Sequence, residues 1–276
     1  MPLSTLDSAF LRKLVRDRSG IVLGEDKAYL IESRLQPLAR LHNLSGLEAL
    51  VARLRSATTG TFLKQVVEAM TTNETLFFRD THPFETLSRI VLPDLMRRRA
   101  ATRTLNIWCA AASTGQEPYS VAMTIREQTP ALAGPDWKLS MLGTDLSAEV
   151  LVRARAGIYS QLEVARGMPA QLLSKYFLRQ ADGTWLIRED LRRMFVFKEL
   201  NLLDAWPFGE KQDIILMRNV LIYFDVDTKR QILAKVRRSL APDGYFFLGG
   251  AETTMNLDDQ FERLADSRGG GYKIKP

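Results

Sequence analysis

The stretch Asn106–Met123, NIWCAAASTGQEPYSVAM, carries the residue types best suited to binding chemistry. Leu105 to Ala110 is a short apolar run rich in β-formers, a string of small residues follows to Gly115, and the back half has helical spacing. That pattern is strand, tight loop, helix. In an open α/β sheet such a loop lies at the carboxyl ends of the strands, where small side chains let a ligand approach the backbone. The loop has neither the three-glycine dinucleotide fingerprint nor the glycine and lysine spacing of a phosphate loop, and no lysine lies near it. Glu117, just past the turn, adds a carboxylate that repels a pyrophosphate. A cationic ligand without phosphate fits better, and S-adenosylmethionine offers a sulfonium, an ammonium and an adenosine. The same residues also suit a plain β-to-α connection in any doubly wound domain, so the loop alone leaves both readings open.

Three other stretches add polar groups. Lys138 to Thr144 reads as a second strand, and Asp145 just past it is placed to accept both ribose hydroxyls of a nucleoside. Thr71–Asp80, TTNETLFFRD, is a polar run whose threonine and asparagine side chains compete for backbone hydrogen bonds, so an ordered connector is expected rather than a helix. Phe77 and Phe78 anchor it in a core, but Arg79 has no such explanation. Asp213 to Met217 is a continuous apolar run, as in a buried parallel strand, and it places Arg218, Asn219 and Tyr223 around a carboxyl edge.

The elements that must hold these groups follow from patterning. The 276 residues suffice for one large or two small domains, and 46% hydrophobic with 25% charged residues is ordinary globular composition. No apolar stretch approaches membrane-spanning length and the N-terminus is an amphipathic helix start, so a soluble, cytoplasmic protein without membrane insertion is expected. The single cysteine, Cys109, excludes an internal disulfide and reads as core packing, while only two histidines, His42 and His82, argue against a histidine-based metal site. Residues 1–70 hold ten Lys or Arg against seven Asp or Glu, half of the net +6. Aromatic residues are scarce there, so an acidic protein surface is a better partner than nucleic acid.

Residues 1–70 read as four short helices. Their stripes are Phe10, Leu11, Leu14 and Val15, then Ile31, Leu35 and Leu38, then Leu47, Leu50, Val51 and Leu54, then Leu63, Val66, Val67 and Met70. A helix begins at Pro83 and ends in Arg97-Arg98-Arg99, which complement its negative end and need no further role. Residues 160 to about 200 break the alternation of helix and strand. There Tyr176–Gln180 and Thr184–Arg188 flank Asp182-Gly183 as a hairpin, with Met194–Lys198 as the third strand of a small antiparallel insertion. Asp227–Leu240 is a helix, Pro242–Gly244 a turn, Tyr245–Gly249 a strand, and Gly271–Lys275 closes a mostly parallel sheet.

TTNETLFFRD at 71–80, WCAAASTGQEPYSVAM at 108–123, GTDLS at 143–147, NLL at 201–203, RNVLIYFD at 218–225 and LAPDGYFFLGGAE at 240–252 together resemble the chemotaxis receptor glutamate methyltransferases, the CheR family. Gln116 and Ala251 stand where many members carry Glu and Ser. The resemblance implies an α/β fold, a mostly parallel Rossmann-like class I methyltransferase sheet with a small all-helical N-terminal domain and an inserted antiparallel β subdomain. The expected divisions are 1–70 for the helical domain, 71–82 for a connector contributing to the cofactor site, and 83–276 for the methyltransferase domain, with its insertion at about 160–200.

The implied reaction moves a methyl group from S-adenosylmethionine to glutamate side chains on the cytoplasmic helices of chemoreceptors, leaving S-adenosylhomocysteine and using no metal. Carried over by motif, Asn73, Thr75, Arg79, Glu117, Asp145, Asn201, Leu202, Arg218 and Asn219 contact the cofactor, and Arg79 and Tyr223 have catalytic importance. A basic helix face with Arg34 and Arg40 meets the acidic receptor. The Asp182-Gly183 turn looks shorter than in relatives that grip a receptor's tethering peptide, so tether-independent action by a monomer is expected. Two alternatives remain, a non-catalytic signalling adaptor that binds the cofactor and an amine methyltransferase. The second is disfavoured because Arg218-Asn219-Val220-Leu221 lacks the Pro-Pro-aromatic run of an amine pocket.

Overall fold

The computed structural model describes residues 3–56, 60–265 and 270–276. The chain divides into two compact units, one comprising the residues up to Thr72 with Tyr223–Thr228, the other Asn73–Ile222 with Lys229–Pro276. The first is helical, with α1 (Thr5–Ser19), α2 (Ala28–Leu41), α3 (Leu47–Ser56) and α4 (Thr61–Ala69). The Ser4 side chain caps α1 by accepting from the Asp7 N–H, and Gly20, at φ 76°, closes it in the left-handed conformation that glycine tolerates best. Leu11 and Val15 of α1 are buried, as are Ile31, Leu35 and Ala39 of α2. Ala39 thus takes the interior position expected of Leu38, which is only half-buried.

The second unit is built on a seven-stranded sheet. Its strands are β1 (Thr104–Ala110), β2 (Lys138–Asp145), β6 (Phe195–Glu199), β7 (Gln212–Leu216), β8 (Leu240–Phe247), β9 (Phe261–Arg263) and β10 (Gly271–Ile274), in spatial order β6-β2-β1-β7-β8-β10-β9. The first five run parallel, and β10 pairs antiparallel with both β8 and β9. The helices are α5 (His82–Thr86), α6 (Leu92–Arg98), α7 (Gln116–Gln128), α8 (Ala148–Ala156), α9 (Gln161–Ala165), α10 (Ala170–Tyr176), α11 (Glu189–Arg192) and α12 (Val226–Ser239). One turn of π-helix, Leu87–Val91, joins α5 to α6. Ile107, Cys109, Ile214, Leu216 and Phe247 from the sheet and Val121, Ala122 and Ile125 from α7 are almost wholly removed from water. Each large aliphatic side chain so buried contributes about 1.5–3 kcal/mol of transfer free energy.

Three expectations need correction. Met194–Lys198 does not join the antiparallel insertion: β6 lies parallel on β2, with Gly143 registered against Phe197. Phe195 and Phe197 alternate inward, and a period of two fixes a buried face without saying which sheet owns it. The third strand of the insertion is β3 (Ile158–Tyr159), which with β5 (Trp185–Ile187) and β4 (Phe177–Arg179) forms the order β3-β5-β4. Gly271–Ile274 does not close the sheet, because Phe261–Arg263 covers its outer side. The expected turn Pro242–Gly244 lies within β8, where pairing jumps from Gln212–Leu240 to Ile214–Tyr245.

Arg99 also does more than complement a helix end. It bonds Asp213 through Nε at 2.8 Å and Asp243 through Nη1 and Nη2 at 2.9 and 2.6 Å, tying the end of α6 to the amino ends of β7 and β8. The second oxygen of Asp213 accepts the Asn106 N–H at 2.8 Å, which brings β1 into the same cluster. Beside it, Asp94 accepts from Arg97, Arg98 and Tyr245 at 2.6, 2.8 and 2.7 Å.

Candidate active site

Strand order reverses about β1, with β2 and β6 on one side and β7 and β8 on the other. An open parallel sheet binds ligands outside the carboxyl ends at such a switch point. The residues expected to form the site emerge there: Ala111–Gly115 after β1, Asp145 as the last residue of β2, Asn201 and Leu202 beyond β6, Arg218 and Asn219 beyond β7. Asn73, Thr75 and Arg79 belong to the same compact unit.

The loop after β1 is held open by its backbone. Ala111 and Ser113 have φ of 55° and 49° and Gly115 has 96°, so the chain makes a tight left-handed reversal before α7. A Cβ on Gly115 would lie 3.0 Å from both the Tyr119 ring and the Tyr159 hydroxyl, so conformation and space both call for glycine. Asp145 braces the loop, one carboxylate oxygen accepting the Ser113 N–H at 2.9 Å and the other the Ser147 N–H at 3.0 Å. The Ser113 hydroxyl donates to the Asn73 carbonyl at 2.7 Å and ties the connector to this loop.

The connector is strained and clamped. Phe78, Asp80 and Thr81 have φ of 50°, 67° and 43°, three non-glycine left-handed residues within four positions. Such conformations cost on the order of 1–3 kcal/mol each and persist only where their surroundings over-determine them. Phe77 is fully buried, edge-on to Tyr159 and Phe177, and the Phe78 N–H donates to Ser120 Oγ at 2.9 Å. Arg218 supplies the main clamp, with a side chain 1% exposed. Its Nη2 donates to the Arg79 carbonyl and to Asp80, both at 2.8 Å, and its Nη1 to Glu117 at 2.7 Å. Arg218 thereby joins the connector to the first turn of α7, and its buried Nε has no partner among the described residues. Burial pushes the Glu117 carboxyl above the usual carboxylate range against the pull of the Arg218 ion pair and hydrogen bond. Among the described residues the half-buried Arg79 side chain donates only to the Glu74 carbonyl, at 3.2 Å.

Two side chains that sequence reasoning passed over complete the edge. Glu252, in the loop after β8, accepts the N–H groups of Asn219 and Gly249 at 2.7 Å and of Ile222 at 3.3 Å. Lys235 of α12 donates to the carbonyls of Leu202, Leu203 and Asp204 at 2.9, 2.6 and 2.9 Å, fixing the turn that carries Asn201 and Leu202. Asn201 adds an internal bond, its side-chain oxygen accepting the Leu203 N–H at 3.0 Å. Glu252 ends the LGGAE motif and was visible as part of it. Lys235 sits among the charges of an amphipathic helix, and nothing local marks it.

Tyr223 belongs to the helical unit, where its carbonyl accepts the Val22 N–H at 2.9 Å and Phe224 bridges to Ile21. Of the two arginines expected on the basic face, Arg40 is exposed. Arg34 donates to the carbonyls of Met70 and Thr71 at 2.9 and 2.8 Å and to the Thr72 hydroxyl at 3.1 Å, which holds the chain leaving α4.

Chemically, the edge suits a cationic nucleoside. Glu117 and Asp80 accept from the Arg218 guanidinium, Asp145 and Glu252 accept backbone N–H groups, and the loop backbone is bare of bulky side chains. A model of the CheR methyltransferase S-adenosylmethionine-binding domain matches residues 73–269, and one of the CheR all-alpha domain matches 7–71.

The chain belongs to the CheR methyltransferase family.

It is 40% identical over all 276 residues to chemotaxis protein methyltransferase 1 of Pseudomonas aeruginosa, covering 100% of both chains. It is 39% identical to chemotaxis protein methyltransferase Cher2 of Pseudomonas putida over the same full length, and 39% identical to that of Vibrio parahaemolyticus, covering 95% of this chain and 94% of the relative. Among solved structures, the DhpI complex with S-adenosylhomocysteine covers 72% of this chain at 14% identity and a TM-score of 0.34, too distant to inform the site. This CheR-family protein is an S-adenosylmethionine-dependent methyltransferase, with the helical and sheet architecture its motifs implied.

Proposed function

We propose that this protein methylates glutamate side chains on the cytoplasmic helices of chemoreceptors, working in the cytoplasm as a monomer and without a receptor tether. The observation that carries the reading is the convergence of Asp145, Glu117, Asn201 and Asn219 on one sheet edge beside a connector pinned by Arg218. When bound, S-adenosylmethionine supplies a methyl group activated by its sulfonium. A free glutamate has a pKa of about 4.3 and is ionised near neutral pH, so the acceptor needs no general base. The protein's task is alignment and exclusion of water, for which effective molarities of order 10⁵ M are attainable.

Within that frame the residues divide the work. Asp145, already accepting two backbone N–H groups, meets the ribose. Glu117, Asn73 and Thr75 surround the amino-acid end, while Asn201, Leu202 and Asn219 border the adenine. Arg218 acts on the cofactor through the connector it clamps, whereas Arg79 positions a carboxylate directly and Tyr223 orients the acceptor by a hydrogen bond. Arg40 meets the receptor's acidic helix, and Arg34, engaged with carbonyls at the end of α4, supports that face indirectly. Independence from a tether is supported by the short insertion, whose strands span two or three residues around a turn closed by the Gly183 N–H to Gln180 O bond of 3.1 Å.

The test is transfer of labelled methyl to receptor cytoplasmic fragments, followed by mild alkali. Carboxyl esters release volatile methanol and methylated amines do not. Volatile label is the expected result. Label that stays on the fragment contradicts the reading in favour of amine methylation, and cofactor binding with no transfer to any receptor fragment favours the adaptor alternative.

A further inference from the structure

Asn219, strained at the carboxyl end of β7, is held by two contacts. Its backbone is left-handed, at φ 58°, a conformation that asparagine tolerates better than most residues but that still needs support. Its side chain lies against the backbone of Gly249, where a Cβ would come within 2.6 Å of Asn219 Nδ2 and 2.8 Å of Cγ. Its N–H is taken at 2.7 Å by one oxygen of Glu252, which accepts the Gly249 N–H at the same distance, while the other oxygen accepts from Ile222 at 3.3 Å. The Glu252 carboxylate therefore joins the ends of β7 and β8 and determines where Asn219 stands. Both short bonds converge on one side-chain oxygen, so a single acceptor ties the two turns together.

We propose that Glu252 is a positioning residue for methyl transfer, fixing through backbone N–H groups the place from which Asn219 meets the nucleoside part of the cofactor. The inference rests on the proposed placement of the cofactor along this edge. A glutamine at 252 can set its one carbonyl oxygen between the two close donors, giving up only the 3.3 Å bond and the charge. Alanine gives up all three bonds.

The experiment compares wild type with Glu252→Ala, Glu252→Gln and Gly249→Ala. It measures the dissociation constant of S-adenosylhomocysteine by calorimetry, kcat and KM for methyl transfer, and the melting temperature. Glu252→Ala and Gly249→Ala are expected to weaken S-adenosylhomocysteine about tenfold and to raise cofactor KM more than they lower kcat, while Glu252→Gln stays within about threefold of wild type. Wild-type affinity in Glu252→Ala, or a lower melting temperature with unchanged affinity, overturns the proposal. Equal damage from Glu252→Gln and Glu252→Ala also overturns it, since charge and not the backbone grip is then what counts. Should Glu252→Ala fail to fold, Glu252→Asp, whose carboxylate is one methylene short of both close N–H groups, takes its place in the same comparison. Failure of the underlying reading shows elsewhere, in a wild-type protein that binds no S-adenosylhomocysteine.

Discussion

Each edge of the parallel sheet carries an arginine between two carboxylates, and the two clusters are built differently. At the amino edge Arg99 spends all three nitrogens on Asp213 and Asp243, and Asp213 turns its other oxygen to the Asn106 N–H. Arg99 keeps 21% of its side-chain surface, and its hydrogen bonds hold Asp243 below the usual carboxylate range. At the carboxyl edge Arg218 is 1% exposed and its Nε has no partner among the described residues, while burial lifts its partner Glu117 above that range. The first cluster is closed and satisfied, tying together helix and strand ends whose places the core already dictates. The second reaches across a strained connector and a helix start. Desolvation worth several kcal/mol is accepted there, as expected where a segment must be held for function rather than for stability.

The largest expected effect is at the carboxyl edge. Arg218→Met leaves Glu117 buried without its partner and frees the left-handed turn at 78–81, so urea unfolding is expected to show a loss of about 3–5 kcal/mol. Calorimetry on the folded fraction should show S-adenosylhomocysteine binding at least about tenfold weaker, and Arg218→Lys should not restore it because one ammonium cannot replace the fork. Arg99→Ala is expected to cost about 2–3 kcal/mol in the same titration, less because its cluster is partly solvated, with cofactor affinity unchanged. A binding defect in that variant would erase the contrast between the edges.

Asp94 gives the amino edge a pH signature. Burial opposes its ionisation, but hydrogen bonds from Tyr245, Arg98 and Arg97 outweigh that and bring its pKa from 3.8 down to about 2. Its stabilisation is present above the unfolded value and is lost as pH falls from about 4 to about 2. Asp94→Asn should therefore be about 2 kcal/mol less stable than wild type at neutral pH, with the gap closing by pH 2 in acid-unfolding curves. Smallest is Lys235→Met. With the carbonyls of Leu202, Leu203 and Asp204 released to water, S-adenosylhomocysteine should bind about three- to tenfold more weakly with little change in melting temperature.

What was legible in the sequence was local. The small residues from Ala110 to Gly115 announce a tight turn because backbone conformation there depends on their own side chains, and the apolar run Asp213–Met217 announces a buried strand. Partnerships across the chain were not legible. Arg99 meets Asp213 and Asp243 over separations of 114 and 144 residues, and Lys235 meets the 202–204 carbonyls from a helix whose charges look alike in sequence. Phe195 and Phe197 were read as strand but given to the wrong sheet, since alternation fixes a face and not a neighbour. Arg218 was read as a cofactor contact from its motif, and its bonds to Arg79, Asp80 and Glu117 were not legible there.

Amide hydrogen exchange with and without S-adenosylhomocysteine tests the division of labour most directly, because it reads both edges in one protein without mutation. The account predicts slowed exchange over 73–80, 111–117, 145–147, 201–204 and 218–222, and no change at the amino edge around 94–106 and 243. Protection at the amino edge, or binding that leaves the carboxyl-edge segments unprotected, would contradict it.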